Sequence, residues 1–348
     1  MGDGRRTYFE QYAFGPEGRA ARKERTLIPG QEDPRTNVLG HTISLNLRSP
    51  IRDTTGGYYL YGKVFQQSRA QGGLSGYAHI NSDSFLVHRD ITVNAALGNV
   101  DFVEICEFGD INTDLYYEFL NLGFSLTAVA GSDVPWGGTV GDSRVYAYTG
   151  GGFDPDDWFQ AVREGKTFVT VGPLLEFSAD GHLPGSQIAK EKNERINITA
   201  KAEAGFSSFD LGKLEIIRNG KVIATAPLDN DRAEVDLNLL VASSGWYAAR
   251  IRSDTRTSAH TTPIYVRVGG EPTWNREEAG ALLEKRLRIL DELERVIDSD
   301  PKTIGVGSPA QWESPEGWVS SRAELLETLQ QARAAYREME KQLKEQPR

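Results

Sequence analysis

Four side chains that can bind metal ions lie at the ends of predicted strands. They are Glu32 in PGQEDPR, His41 in LGHTISL, His79 in GYAHINS and Asp133 in AGSDVPW. Open α/β sheets and barrels place their sites at the carboxyl ends of strands, so residues distant in the chain can converge there. Imidazole and carboxylate ligands in this mixture suit zinc, manganese or iron. The sequence therefore predicts a divalent-metal site formed by these four residues.

Each of these residues also has an ordinary structural explanation. A single histidine beside a strand is more often a hydrogen-bonded structural residue, and an aspartate after Gly-Ser is as often a helix cap or turn former. Only the shared position of the four favours a metal site. Two further carboxylates, Glu104 and Glu107, flank Cys106 in a predicted buried strand, and Glu104 is the better candidate to face the site.

Strand-like and helix-like segments alternate through the first half of the chain. The predicted strands are HTISLNL, LSGYAHI, DFVEICEF, SLTAVAGSD, RVYAYTG and KTFVTVGP. The predicted helices between them are YLYGKVFQQSRAQ, LYYEFLNLG and PDDWFQAVREG. This alternation indicates an α/β fold with a parallel or mixed sheet and crossover helices.

The pattern changes at about residue 190, where polar and apolar residues alternate between turns. Period-2 patterning predicts a small β-sandwich, and Asn219-Gly220 between two strand-like runs predicts a hairpin. Apolar residues at helical spacing then predict an antiparallel helix pair. We therefore divide the chain into a catalytic-type domain (1–188), a β-sandwich (189–270) and a C-terminal helical hairpin (271–348).

Composition limits the partners of the chain. Its net charge of −10 disfavours nucleic acid, because affinity for phosphate backbones comes from Lys and Arg. No apolar run approaches the roughly 18 residues that span a bilayer, and no signal peptide is visible. One cysteine, Cys106, allows neither an internal disulfide nor a CxxC metal motif. We expect a soluble protein with a small-molecule substrate, in an oligomeric state and a compartment that the sequence does not specify.

Several motifs together point to a known family. A Gly-x-Glu strand end followed by a Gly-His strand occurs in IPGQEDPRTNVLGHTISL, and an Ala-His segment in GGLSGYAH. A Gly-Ser-Asp strand, an Arg-x-Tyr strand and a Gly-Lys-Thr-Phe-Val-Thr-x-Gly-Pro element follow in SLTAVAGSDVPWGGTVGDSRVYAYTG and EGKTFVTVGP. Because of these motifs, residues 28–268 resemble the CehA/McbA (carbaryl-hydrolase-like) metallohydrolases. That family is a branch of the PHP (polymerase and histidinol phosphatase) superfamily.

The resemblance implies an incomplete, distorted (βα)7 barrel of the PHP type with two or three divalent metals at its carboxyl rim. It also implies hydrolysis of an ester, phosphoester or carbamate bond by metal-activated water. In the family pattern Glu32 bridges metals, while His41, His79 and Asp133 each bind one. Asp133 and Arg144 are then the catalytic residues, with Arg144 neutralising charge that develops on the substrate. An ion pair that stabilises the turn around Arg144 is an equal alternative.

Two family motifs are altered. The His-x-His motif of the first strand is absent, since no two of the histidines are separated by one residue. The Asp-x-His motif is changed as well, because Val134 and Pro135 follow Asp133. Either the chain starts after the first barrel strands, or its metal site has decayed naturally. The first interpretation is favoured because losing a barrel strand leaves unpaired backbone edges. We expect weak metal binding and little turnover, and the alternative function is a non-catalytic binding or assembly protein.

Overall fold

The computed structural model describes residues 15–22, 25–36, 39–51, 60–80, 85–134, 138–204, 212–253, 256–299 and 315–345. The chain divides into a first unit of residues 1–101 with 280–348 and a second unit of residues 102–279. The predicted boundaries at 188 and 270 stay a prediction. No helix among the described residues is both long enough and apolar enough to cross a membrane.

The secondary structure is mostly strand. The strands are β1 (Ala20–Arg22), β2 (Arg25–Leu27), β3 (Gln31–Thr36), β4 (Gly40–Leu45), β5 (Leu74–Ala78), β6 (Phe102–Glu107), β7 (Asp110–Ile111), β8 (Thr127–Gly131), β9 (Arg144–Ala147), β10 (Thr167–Thr170), β11 (Leu174–Ala179), β12 (Gln187–Lys190), β13 (Glu194–Glu203), β14 (Lys213–Arg218), β15 (Lys221–Pro227), β16 (Arg232–Val241), β17 (Gly245–Arg252), β18 (Thr257–Thr261) and β19 (Ile264–Val268). The α-helices are α1 (Gly62–Ala70), α2 (Val87–Ala96), α3 (Asp114–Asn121), α4 (Pro155–Arg163), α5 (Ala279–Asp298) and α6 (Pro315–Glu345).

In the first unit, β3, β4 and β5 form an antiparallel sheet with β4 in the middle. Helices α1 and α2 contact this sheet, and α6 packs against α2. The buried Tyr336 of α6 donates a hydrogen bond to the carbonyl of Thr92 in α2 at 2.8 Å. The sheet is therefore supported by helices that come from both ends of the sequence.

In the second unit, two sheets enclose one apolar core, so the predicted β-sandwich is confirmed. One sheet contains β12, β19, β17, β18, β10 and β9 in that order, with β14 and β15 attached through β17. The other has the order β11, β13, β16. Strand β13 shows the period-2 pattern that places alternate side chains in the core. The core includes Leu175, Phe177, Ile196, Ile198, Leu214, Ile216, Ile251 and Val266.

The predicted (βα)7 barrel is wrong. Such a barrel needs consecutive parallel strands, but β3 with β4, β4 with β5 and β9 with β10 are antiparallel pairs. Strands β9 and β10 also belong to a sheet of the sandwich and not to a barrel. A helix between two strands permits a parallel crossover but does not require one. Helix α1 between β4 and β5, and α4 between β9 and β10, each connect strands that run in opposite directions.

The predicted Asn-Gly hairpin is confirmed between β14 and β15, where Arg218 pairs with Lys221. Asn219 and Gly220 both have positive φ, 49° and 82°, as a two-residue type I′ turn requires. The side-chain oxygen of Asn219 also accepts a hydrogen bond from the backbone N–H of Trp246 at 2.9 Å. The residue therefore fixes both the turn and its attachment to β17.

We expect Asn219→Ala to lower the free energy of unfolding by about 1–2 kcal/mol, because it removes this acceptor and strains a left-handed backbone. Urea denaturation followed by circular dichroism measures the change. Asn219→Asp is the matched control, since it keeps a side-chain oxygen and tolerates positive φ. Equal stability of Asn219→Ala and the unmodified protein would show that neither interaction matters.

Candidate metal centre

Three of the four predicted ligands come together in the first unit. Glu32 lies in β3, His41 lies in β4, and His79 directly follows β5. His41 pairs with Ala78 in the antiparallel register of β4 and β5, so His79 follows at the same edge of the sheet. His79 has a positive φ of 52°. Neighbouring antiparallel strands thus bring these residues together. The sequence instead predicts that they meet at the carboxyl ends of strands in an α/β sheet or barrel.

The two imidazoles share one carboxylate. Glu32 Oε1 lies 3.0 Å from His41 Nδ1 and 3.4 Å from His79 Nε2. One potential ligand atom from each of the three residues lies within 4.8 Å of the others. We call these three residues the Glu-His-His cluster.

Aromatic packing holds the imidazoles of the Glu-His-His cluster in place. The rings of His41 and His79 are edge-to-face with centroids 5.1 Å apart. Phe85 lies against both, with ring centroids 4.1 Å from His41 and 5.5 Å from His79. The side chain of His79 is 5% exposed, whereas that of Glu32 is 30% exposed. The histidine side of the cluster is therefore packed and largely buried, whereas its carboxylate is accessible.

The carboxylate of Glu32 is held ionised. Burial raises the pKa of Glu32, but hydrogen bonds with His41 and His79 and the charge of Arg35 outweigh it and bring the pKa to about 2. Arg35 contributes from 3.7 Å on the exposed side. A stable anion next to two imidazoles attracts a cation, either a proton shared with the histidines or a metal ion.

The donor set suits a divalent metal. Tetrahedral zinc with bonds of about 2.0–2.2 Å places neighbouring donor atoms roughly 3.3 Å apart. The separations of 3.0 and 3.4 Å around Glu32 Oε1 are close to that value. Two histidines and one glutamate are also a known ligand set of catalytic zinc, which keeps a fourth position open. All three donor atoms lie within 4.8 Å of one another, so their types and spacing suit such an ion.

The fourth predicted ligand, Asp133, belongs to the second unit. It stands two residues after β8, is half-buried and has a positive φ of 43°. Strand β8 runs parallel to β6, with Gly131 beside Glu107, and carboxylate oxygens of Glu107 and Asp133 lie within 4.8 Å of each other. The parallel pair thus brings two carboxylates together. The predicted role of Asp133 as a metal ligand and catalytic residue stays a prediction.

The two glutamates of β6 have different surroundings. Glu104 is buried, and its carboxylate lies so close to Gly131 that a Cβ there would stand 2.0 Å from Glu104 Oε1. Glu107, not Glu104, stands beside Asp133. The register between β6 and β8 shifts between Glu104 and Cys106, and this shift places Glu107 opposite Gly131.

Arg144, predicted to be catalytic, begins β9 and is half-buried. Its Nε is buried without a hydrogen-bond partner. Among the described residues Arg144 forms no ion pair. The ion pair that was its alternative role is therefore not found in that part of the chain. The catalytic role stays a prediction.

Two other titratable side chains, those of His260 and Cys106, are buried in the second unit. His260 is fully buried, donates from Nδ1 to the Thr261 carbonyl at 2.7 Å and accepts at Nε2 from the Tyr117 hydroxyl at 2.7 Å. Burial and the charge of Arg250 lower the pKa of His260 to about 3, so it is neutral. Burial also raises the pKa of Cys106 to about 12, which keeps its thiol protonated.

No family model and no curated protein matches this chain. Solved structures that it resembles include the fibronectin(III)-like modules of Clostridium thermocellum CbhA, with 17% sequence identity and a TM-score of 0.19 over 26% of this chain and 94% of the other. Another is the CARDB domain of a Pyrococcus furiosus protein, solved by solution NMR, with 12% identity and a TM-score of 0.21 over 28% of this chain and 96% of the other. At these TM-scores neither likeness bears on function.

The antiparallel pairing of β3 with β4, of β4 with β5 and of β9 with β10 is not that of a PHP-type barrel, so the description of the chain as a PHP domain of the phosphoesterase-like kind is corrected. The described residues form a β-sandwich unit and a smaller unit whose antiparallel sheet carries the Glu-His-His cluster.

Proposed function

We propose that this protein binds a divalent cation, zinc, manganese or iron, through Glu32, His41 and His79. The proposal rests on one observation, the convergence of three ligand atoms within 4.8 Å of one another. Two imidazoles and one carboxylate supply the nitrogen and oxygen donors that these ions prefer. The low pKa of Glu32, about 2, means that its carboxylate needs no deprotonation before it binds the ion.

The reaction that we propose for the metal-loaded protein is hydrolysis of an ester, phosphoester or carbamate bond in a small molecule. A bound divalent ion lowers the pKa of water towards about 7 and polarises the scissile bond. The Glu-His-His cluster contributes three ligands, so a position for water is left open. The class of bond is the expectation drawn from the sequence motifs alone, since the described residues do not form the PHP-type fold, and a three-ligand set with an open position supports the use of water.

The residues of this chain have distinct tasks in the proposed site. His41 and His79 orient the ion, because Phe85 limits the rotation of both rings. Glu32 supplies the negative charge, and its partly exposed side chain leaves access for solvent and substrate. Arg35, 44% exposed and 3.7 Å from Glu32, can neutralise an anionic group that approaches from that side.

Calorimetric titration of chelator-treated protein with Zn²⁺, Mn²⁺ and Fe²⁺ tests metal binding. We expect saturable binding, and an increase in stability of about 2.7 kcal/mol when the free ion is at 100 times its Kd. The loaded protein is then tested for hydrolysis of p-nitrophenyl phosphate, p-nitrophenyl esters and naphthyl carbamates. Metal binding without hydrolysis would support the alternative of a non-catalytic binding protein. Absence of both binding and stabilisation would contradict the proposal as a whole.

A further inference from the structure

A buried carboxylate lies behind the Glu-His-His cluster. Asp90 in α2 is fully buried and accepts hydrogen bonds from three donors. These are the hydroxyl of Tyr77 at 2.6 Å, the side-chain amide of Asn94 at 2.9 Å and the backbone N–H of Tyr61 at 3.2 Å. Among the described residues, no cation forms an ion pair with it. A buried carboxyl group without a cation depends on such hydrogen bonds, so Asp90 and its three donors form a strongly constrained network.

Each tyrosine of this network is connected to one candidate metal ligand, Tyr77 through the chain and Tyr61 through a hydrogen bond. Tyr77 lies in β5, two residues before His79. The hydroxyl of Tyr61 donates to the carbonyl of Gly40 at 2.9 Å, and Gly40 directly precedes His41. Both tyrosine side chains are fully buried. The Asp90 carboxylate is therefore linked through Tyr77 to the strand that precedes His79, and through Tyr61 to the residue that precedes His41.

Close packing of α2 on β4 makes this connection rigid. Gly40 has a φ of 92°, and a Cβ there would stand 2.4 Å from Cγ2 of Val87 in the first turn of α2. Only a glycine permits this approach. Because Asp90 lies one turn further along the same helix, its distance to β4 and β5 has little freedom.

We infer that Asp90, with Tyr61 and Tyr77, positions His41 and His79 for metal binding. The inference rests on the proposed function and concerns positioning residues, since none of the three belongs to the cluster. Ligands that are already held in their bound arrangement lose less conformational entropy on binding, so the network is expected to raise affinity.

Tyr61→Phe tests this inference because it removes only the hydroxyl that holds Gly40. Tyr336→Phe is the matched control, since it removes an equally buried tyrosine hydroxyl that donates to a carbonyl of α2, at 2.8 Å. We expect Tyr61→Phe to weaken Zn²⁺ binding about tenfold, within the range reported for groups that orient metal ligands. Tyr336→Phe should leave Zn²⁺ affinity within about twofold, although both variants lower the melting temperature of the metal-free protein similarly.

Equal effects of the two variants on Zn²⁺ affinity would overturn the inference. If Tyr61→Phe does not fold, Tyr77→Phe replaces it in the same comparison, because it removes the other hydroxyl of the network. If the unmodified protein binds no Zn²⁺, the proposed function fails, and NMR of the histidine rings in metal-free protein decides the positioning role separately. Shifted His41 and His79 ring signals in Tyr61→Phe but not in Tyr336→Phe support that role, and unchanged signals overturn it.

Discussion

Replacement of His79 by asparagine is expected to weaken divalent-metal binding by about 100-fold or more, on the order of 3 kcal/mol. His79 is the most deeply buried member of the Glu-His-His cluster, and its loss leaves two of three ligands. Asparagine is chosen because His79 has a φ of 52°, and asparagine tolerates the left-handed region better than alanine does. The loss of affinity should therefore reflect the missing imidazole and not backbone strain.

Zn²⁺ titration calorimetry measures the effect, with His182→Asn as the control. His182 is an exposed histidine in a turn after β11, so the same chemical change there removes no member of the cluster. We expect His182→Asn to bind Zn²⁺ as the unmodified protein does. Unchanged affinity in His79→Asn would exclude His79 as a ligand and would leave the cluster as a hydrogen-bonded group of the sheet edge.

Asp90 should make the stability of the metal-free protein fall as pH rises from about 4 to 7. Burial raises the pKa of Asp90 to about 7, and hydrogen bonds from Tyr77, Tyr61 and Asn94 only partly oppose this rise. In the unfolded chain the carboxyl ionises near its ordinary pKa of about 3.9. Across this window the unfolded state gives up its proton while the folded state keeps it, so ionisation favours unfolding. Above about pH 7 both states are ionised and this contribution stays constant.

Asp90→Asn removes this pH dependence, because asparagine does not titrate. We expect the stability of the variant relative to the unmodified protein to rise between pH 4 and 7 by up to roughly 4 kcal/mol. Urea unfolding of both metal-free proteins at several pH values gives the difference. A difference that does not change with pH would show that Asp90 titrates similarly in the folded and unfolded states.

Much of the local structure could be predicted from the sequence. Strands β4, β5, β6 and β8, the Asn219-Gly220 hairpin and the β-sandwich all depend on periodicity or turn chemistry within short segments. The three candidate ligands could also be selected from the sequence, because Glu32, His41 and His79 are polar residues at predicted strand ends. Helix α2 was missed, since no helix was predicted between LSGYAHI and DFVEICEF.

Only the tertiary structure decided strand direction and the surroundings of each side chain. The βαβ pattern around β4 and β5 suits a parallel crossover equally well, and pairing between distant segments selected the antiparallel form. The choice of Glu107 over Glu104 beside Asp133 depends on a register shift against β8, which no local pattern reveals. Asp90 belongs to the same class, because an aspartate in a helix becomes a positioning residue only when Tyr61 and Tyr77 fold around it. Periodicity and turns are properties of neighbouring residues, whereas pairing, register and burial depend on contacts between segments far apart in the chain.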